Sequence, residues 1–256
     1  MDSIFTYNNY KNILNKMKKI GEILTFSSAN IDTKSGFILR HDIDFNVEKA
    51  YIMSNMEAEI NVKSTYFVLT TSDIYNINCK KNRQMLIDMN KNKFEIGLHF
   101  DPTIYGDISL EQMQIKMKNE VNIIENIIGN RVESISLHNP SVHNRYPNFK
   151  GYKNAYSKEF FNPDLYISDS CKDFRGKNIY TFIQKGENNL IQVLFHPIHF
   201  SKKEESYITC FNGIINDKIK VLDQYKNINK TYKKELGDEV LLKYFIEKKS
   251  VDGKKI

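Results

Sequence analysis

Phe37-Ile38-Leu39-Arg40-His41-Asp42-Ile43-Asp44 (residues 37–44) is an apolar run that stops on charged and imidazole side chains. Four more segments end the same way: Glu95-Ile96-Gly97-Leu98-His99-Phe100-Asp101, Ser136-Leu137-His138, Ile167-Ser168-Asp169 and Leu194-Phe195-His196. In a parallel α/β protein the carboxyl ends of the strands open on one face, so such endings gather carboxylates and imidazoles around one cavity. The pattern predicts an enzyme.

Outward from these strands, Tyr10, Ile13, Leu14, Met17 and Ile20 form an apolar stripe on a helix over residues 7–20, which Gly21 ends. A second helix is expected over 47–60, burying Val47, Tyr51 and Met53, and a strand over 62–69. In Leu110 to Ile128 the residues Leu110, Met113, Met117, Val121, Ile124 and Ile128 recur at helical spacing. Ser109 with Gln112 fits a capping box there, and Gly129-Asn130 a left-handed stop. Further strands are expected near 133–138, 164–169 and 190–196. This alternation predicts an α/β fold: a distorted (β/α) barrel or open sheet of parallel strands. Residues 1–205 read as the barrel domain with its N-terminal helix. Residues 206–256 read as a helical, Lys-rich appendage with one helix from Asp238 to Lys249 and a polar end.

The 256 residues suffice for one large domain, and 41% hydrophobic with 27% charged residues is an ordinary globular balance. The formal charge of +6 does not point to nucleic acid, because the basic residues are scattered and only five are Arg. From Lys202 onward 13 Lys face 9 acidic residues, so most of the excess lies in the C-terminal segment. No run reaches the roughly 18 apolar residues of a membrane span. Cys79, Cys171 and Cys210 are far apart and lack metal or redox spacing. A cytoplasmic location in a reducing compartment is expected.

Strand parity sorts the polar endings. Arg40, Asp42 and Asp44 share one face, with His41 and Ile43 on the other. Two carboxylates so close repel unless a cation or proton lies between them. A divalent metal on one, with the other free as a base, resolves the conflict; so does a structural ion pair with Arg40. Glu95, Gly97, His99 and Asp101 likewise share a face, and Gly97 is expected to leave room beside the imidazole. His138 joins the polar side of its strand, and Gln192 and His196 that of theirs. His41 has the wrong parity and is expected behind the strand. His143 and His199 fall in loops.

Together the Asp-x-Asp after a strand, the Phe-Glu-Ile-Gly-Leu-His run and the late Leu-Phe-His resemble the polysaccharide deacetylase (NodB-homology, carbohydrate esterase family 4) superfamily, over about residues 36–200. The likeness is to its branch associated with surface-polysaccharide biosynthesis. It implies a distorted barrel of about seven strands and a metal-dependent amide hydrolase acting on an N-acyl group of a sugar, nucleotide-activated or lipid-linked. Carried over, it implies Asp42 as general base, His196 as general acid, and Asp44 and His99 as ligands of a divalent metal, with Zn²⁺ expected. The family's His-x-x-x-His is broken, since Thr103 stands four residues after His99. Asp101 or His138 can supply the third ligand, and His138 restores the family's ligand set. The family's Arg-Pro motif is also absent. Its Arg contacts the base, and Arg40 can replace it; Asp169 stands near where the family places an Asp that orients other catalytic groups; and Arg40, Asp101, Asn139 and Asp169 are expected around the substrate. The departures leave two alternatives: a metal-free amidohydrolase, or an inactive sugar-binding barrel.

Overall fold

The computed structural model describes residues 4–244. After helix α1 (Tyr7–Ile20), the strands β1 (Ile23–Leu24) and β2 (Gly36–Ile43) lead into α2 (Val47–Glu59) and β3 (Thr65–Val68). Next come α3 (Lys80–Lys91), β4 (Glu95–Phe100), α4 (Leu110–Ile128) and β5 (Ser134–Leu137). A less regular stretch holds α5 (Pro140–His143), β6 (Lys153–Asn154), β7 (Tyr166–Ser168) and α6 (Ile179–Phe182) before β8 (Leu190–Phe195). Every pairing is parallel, in the order β6-β5-β4-β3-β2-β8-β7, with β1 added beside β2. Seven parallel strands thus curl into a distorted (β/α) barrel.

The strand period of two gives each strand a helix-facing and an interior face. Outward, Phe37 and Leu39 of β2 join Ile191, Val193 and Phe195 of β8 in a core with α1, while Tyr66, Ile96, Leu98 and Ile135 pack with α3 and α4. Inward, Ile38, Phe67, Phe26 and Phe160 form a smaller apolar plug. Above the plug the interior residues turn polar. Register places Asp42 beside Phe67, Arg40 beside Leu194, and His99 beside Ser136.

Gly97 differs from expectation. A Cβ there would lie 2.5 Å from the Phe67 ring and 2.9 Å from the Ser134 carbonyl, so the space belongs to the plug and not to the His99 imidazole. Helix α4 has the expected bounds, capping box and left-handed Gly129. Its Leu110 is 53% exposed, however, because it precedes the turn that meets the sheet. In α2 the buried residues are Val47, Ala50, Met53, Ser54 and Glu57, with Tyr51 only half-buried.

Two compact units divide at Glu204 and Glu205. The second contains α7 (Tyr207–Gln224), capped by the Ser206 hydroxyl, and α8 (Lys230–Leu236). These helices precede the helix expected from Asp238 to Lys249, of which residues 241–244 are helical; residues 245–249 and the polar end lie outside the described residues. No helix among the described residues is long and apolar enough to cross a membrane.

Candidate functional site

Three interior strand ends converge on one point. Asp44 follows β2, His99 lies near the end of β4, and His138 follows β5, its backbone N–H donating to the Phe100 carbonyl at 2.8 Å. Asp44 Oδ1 stands 3.1 Å from His99 Nε2 and 3.5 Å from His138 Nδ1, and the two imidazole nitrogens are 3.2 Å apart. Ligand atoms around a tetrahedral zinc stand about 3.4 Å apart, given bonds of about 2.1 Å. Asp44 Oδ1 is buried and accepts no well-formed hydrogen bond. An orphaned carboxylate oxygen facing two imidazole nitrogens at this spacing is a donor set that fits a divalent cation. Burial pushes the Asp44 carboxyl up, but contact with His138 and His99 and the charge of His196 outweigh it and hold the group well below its ordinary value. His138 moves up from its ordinary value: burial lowers it and the Asp44 carboxylate more than compensates.

Asp42, two residues back on the same face, is held from below. Its Oδ2 accepts from Ser136 Oγ at 3.2 Å and lies 3.5 Å from the Arg40 guanidinium. Arg40, fully buried, also donates to Ser136 Oγ at 3.1 Å and to the Tyr156 hydroxyl at 2.8 Å. Burial disfavours the guanidinium, yet Asp42 keeps it firmly charged. Asp42 Oδ1 is left without a hydrogen bond and Asp42 lines the cavity, which leaves an acceptor oxygen for a proton. Arg40 therefore lies beneath Asp42, in contact with that carboxylate, and does not line the cavity.

A second cluster lies at the ends of β7 and β8. Asp169 Oδ1 receives His196 Nδ1 at 2.6 Å, and Oδ2 receives His199 Nδ1 at 2.9 Å. The His196 backbone N–H also donates to this carboxylate. With Nδ1 so engaged, His196 turns Nε2 inward, 3.9 Å from Asp44 Oδ2. Burial lowers the His196 imidazole, but the Asp169 charge outweighs it and raises the group to about 9. Asp169 is raised by burial and lowered more strongly by His196 and His199, settling at about 2. Asp169 is fully buried and does not line the cavity; it positions two imidazoles.

The remaining expected residues separate. Asn139 lines the cavity, and its side-chain amide lies 2.9 Å from His138 Nε2. Asp101 instead caps the short 3-10 helix Pro102–Tyr105, accepting from Thr103 N at 2.8 Å and Thr103 Oγ1 at 2.6 Å. Its carboxylate satisfies its own chain and does not line the cavity. His41 packs behind β2 against Glu57 at 2.8 Å, and His143 is exposed. Sequence reading missed Ser136, although its parity matches that of His138, and Tyr156, which no local pattern marked; His199 was read only as a loop residue. The cavity, about 320 Å³, also carries the aromatic residues Tyr146, Tyr156, Phe161 and Tyr166.

No protein-family model matches the chain, and neither does any curated protein. Among solved structures it is similar to a CE4 family pseudoenzyme from Bacillus anthracis, with 12% identity, 73% of this chain and 63% of that chain covered, and a TM-score of 0.43. The chain thus spans less than two thirds of that protein. It is also similar to the peptidoglycan deacetylase PdaC from Bacillus subtilis, with 17% identity, coverage of 81% and 98%, and a TM-score of 0.42. A third is the chitin deacetylase from Colletotrichum lindemuthianum, with 14% identity, coverage of 72% and 81%, and a TM-score of 0.45. At such identities and TM-scores the likeness carries no argument about this chain, and the barrel stands on its own strand order and register.

Proposed function

We propose that the chain is a metal-dependent amide hydrolase that removes an N-acyl group from a sugar. The observation that carries this is the triangle of Asp44 Oδ1, His99 Nε2 and His138 Nδ1 at 3.1, 3.2 and 3.5 Å, with Asp42 on one side and His196 on the other. Asp44, His99 and His138 would hold the cation, with zinc best suited to this nitrogen and oxygen set. When bound, such an ion polarises an amide carbonyl and acidifies a water.

The chain's own groups supply the proton transfers. Asp42 lines the cavity, and its Oδ1, which accepts no hydrogen bond among the described residues, takes the proton of the attacking water. Arg40 and Ser136 hold Oδ2, so the carboxylate keeps one orientation. His196, charged at neutral pH through Asp169, gives a proton from Nε2 to the departing amine. The breaking C–N bond thereby releases a neutral amine and a carboxylic acid. The aromatic lining suits the faces of a sugar ring, and the motif resemblance supports a role in surface-polysaccharide assembly in the cytoplasm.

Asp42→Asn tests the base. Its amide fills the same space, so metal content is expected to stay unchanged while kcat for release of a primary amine from N-acetyl sugars falls about 10²- to 10⁴-fold. A fully active variant would remove Asp42 from the reaction.

A further inference from the structure

The cavity that holds Asp42, Asp44 and His196 is also lined by two cations that the hydrolytic scheme leaves unused, Arg175 and Lys177. They flank Gly176 in a tight turn, where Arg175 has φ 53° and Gly176 φ 74°. The Arg175 backbone N–H is tied to Asp173 Oδ1 at 3.0 Å, but its guanidinium makes no hydrogen bond or ion pair among the described residues. Lys177 Nζ donates once, to the Tyr166 carbonyl at 3.1 Å, which anchors it at the edge of β7 with donors to spare.

The cavity's two carboxylates do not cancel these cations. Asp42 is matched by Arg40 at 3.5 Å, and Asp44 by the imidazoles and the cation they fit. The unspent charge on the wall is positive. Two cations of different shape, a planar fork and a point charge, match a group with several oxygens and about two negative charges better than a single carboxylate. Phe161 and Tyr166 line the same cavity, where a sugar ring attached to that anion would lie.

We propose that Arg175 and Lys177 form a phosphate-binding subsite, so that the sugar amide handled here is a glycosyl phosphate or diphosphate. This deepens the hydrolase reading and rests on it for the sugar. Calorimetric titration of the full chain with N-acetylglucosamine 1-phosphate and with its neutral twin, methyl N-acetylglucosaminide, tests it. Both cations are exposed, so Arg175→Ala and Lys177→Ala leave the core intact.

The phosphate ester is expected to bind about tenfold or more tighter, and each variant to lose about tenfold for it and nothing for the neutral glycoside. The preference should persist after chelation and shrink with salt. A uridine diphosphate sugar and a prenyl diphosphate sugar in detergent then distinguish a nucleotide from a lipid source. Equal affinity for the two twins overturns the subsite. So does a preference that survives both variants and disappears in Asp44→Ala, since the metal centre would then hold the phosphate. Phosphate-selective binding without amine release keeps the subsite and removes the hydrolase reading; amine release without selectivity does the reverse.

Discussion

Asp169 holds two imidazoles on its two oxygens, and this sets the charge of His196. His196 sits at about 9 against an ordinary 6.5, so its contribution to stability is fully present below pH 6.5 and is lost as pH rises through about 9. Asp169 sits at about 2 against an ordinary 3.8, so its contribution is present above pH 3.8 and is lost as pH falls through about 2. As a proton donor His196 must be charged, and the alkaline limb of the pH–rate profile is expected near 9. Asp169→Asn removes the charge that raises the imidazole, and that limb should move down by one unit or more while kcat falls about tenfold or more. An unmoved limb would separate His196 from the proton transfer. At this scale strand parity made Asp42, Asp44, His99, His138 and His196 legible in the sequence. Arg40 was legible beside Asp42 by parity, but its partners Ser136 and Tyr156, 96 and 116 residues away, were not. Asp101 shared the parity of His99, but the chain turns at Pro102 and the local cap claims its carboxylate.

Among the elements, α4 was fully written in its sequence, with stripe, box and left-handed stop all present. Helix α3 passed unnoticed because its apolar residues are few: Met85, Leu86 and Met89 are its buried positions, and Cys79 offers no side-chain cap. Helix α7 was passed over although Ile208, Phe211, Ile215, Ile219 and Leu222 recur at helical spacing; Cys210 is its one buried residue. Strand β4 teaches the converse, since Gly97 was noticed for the wrong neighbour. The Phe67 ring of β3 closes over it, a cross-strand contact fixed by the pairing of Phe67 with Gly97. Gly97→Ala is therefore expected to cost about 1–3 kcal/mol, read as a lower thermal midpoint, and Phe67→Leu in the same chain to recover part of it. A Gly97→Ala protein as stable as the parent would show that the ring has room to move.

For the whole molecule, the alternation of apolar runs and helical stripes made the parallel barrel legible, because each strand end carried its own polar signature. The cavity wall was not legible: residues 139–177 form short irregular elements whose placement depends on tertiary contacts such as Gln192 to the Ala155 and Phe160 carbonyls, at 3.0 and 3.1 Å. The account turns on the cation that the three converging strand ends would hold. Plasma mass spectrometry of the purified chain beside Asp44→Ala and His99→Ala, each checked for folding, measures this directly. The expected result is about one equivalent of a divalent transition metal in the parent chain, lost in both variants. A folded parent chain that takes up no metal after incubation with zinc, manganese, iron, cobalt or nickel would contradict it, and would leave a metal-free amidohydrolase or an inactive sugar-binding barrel.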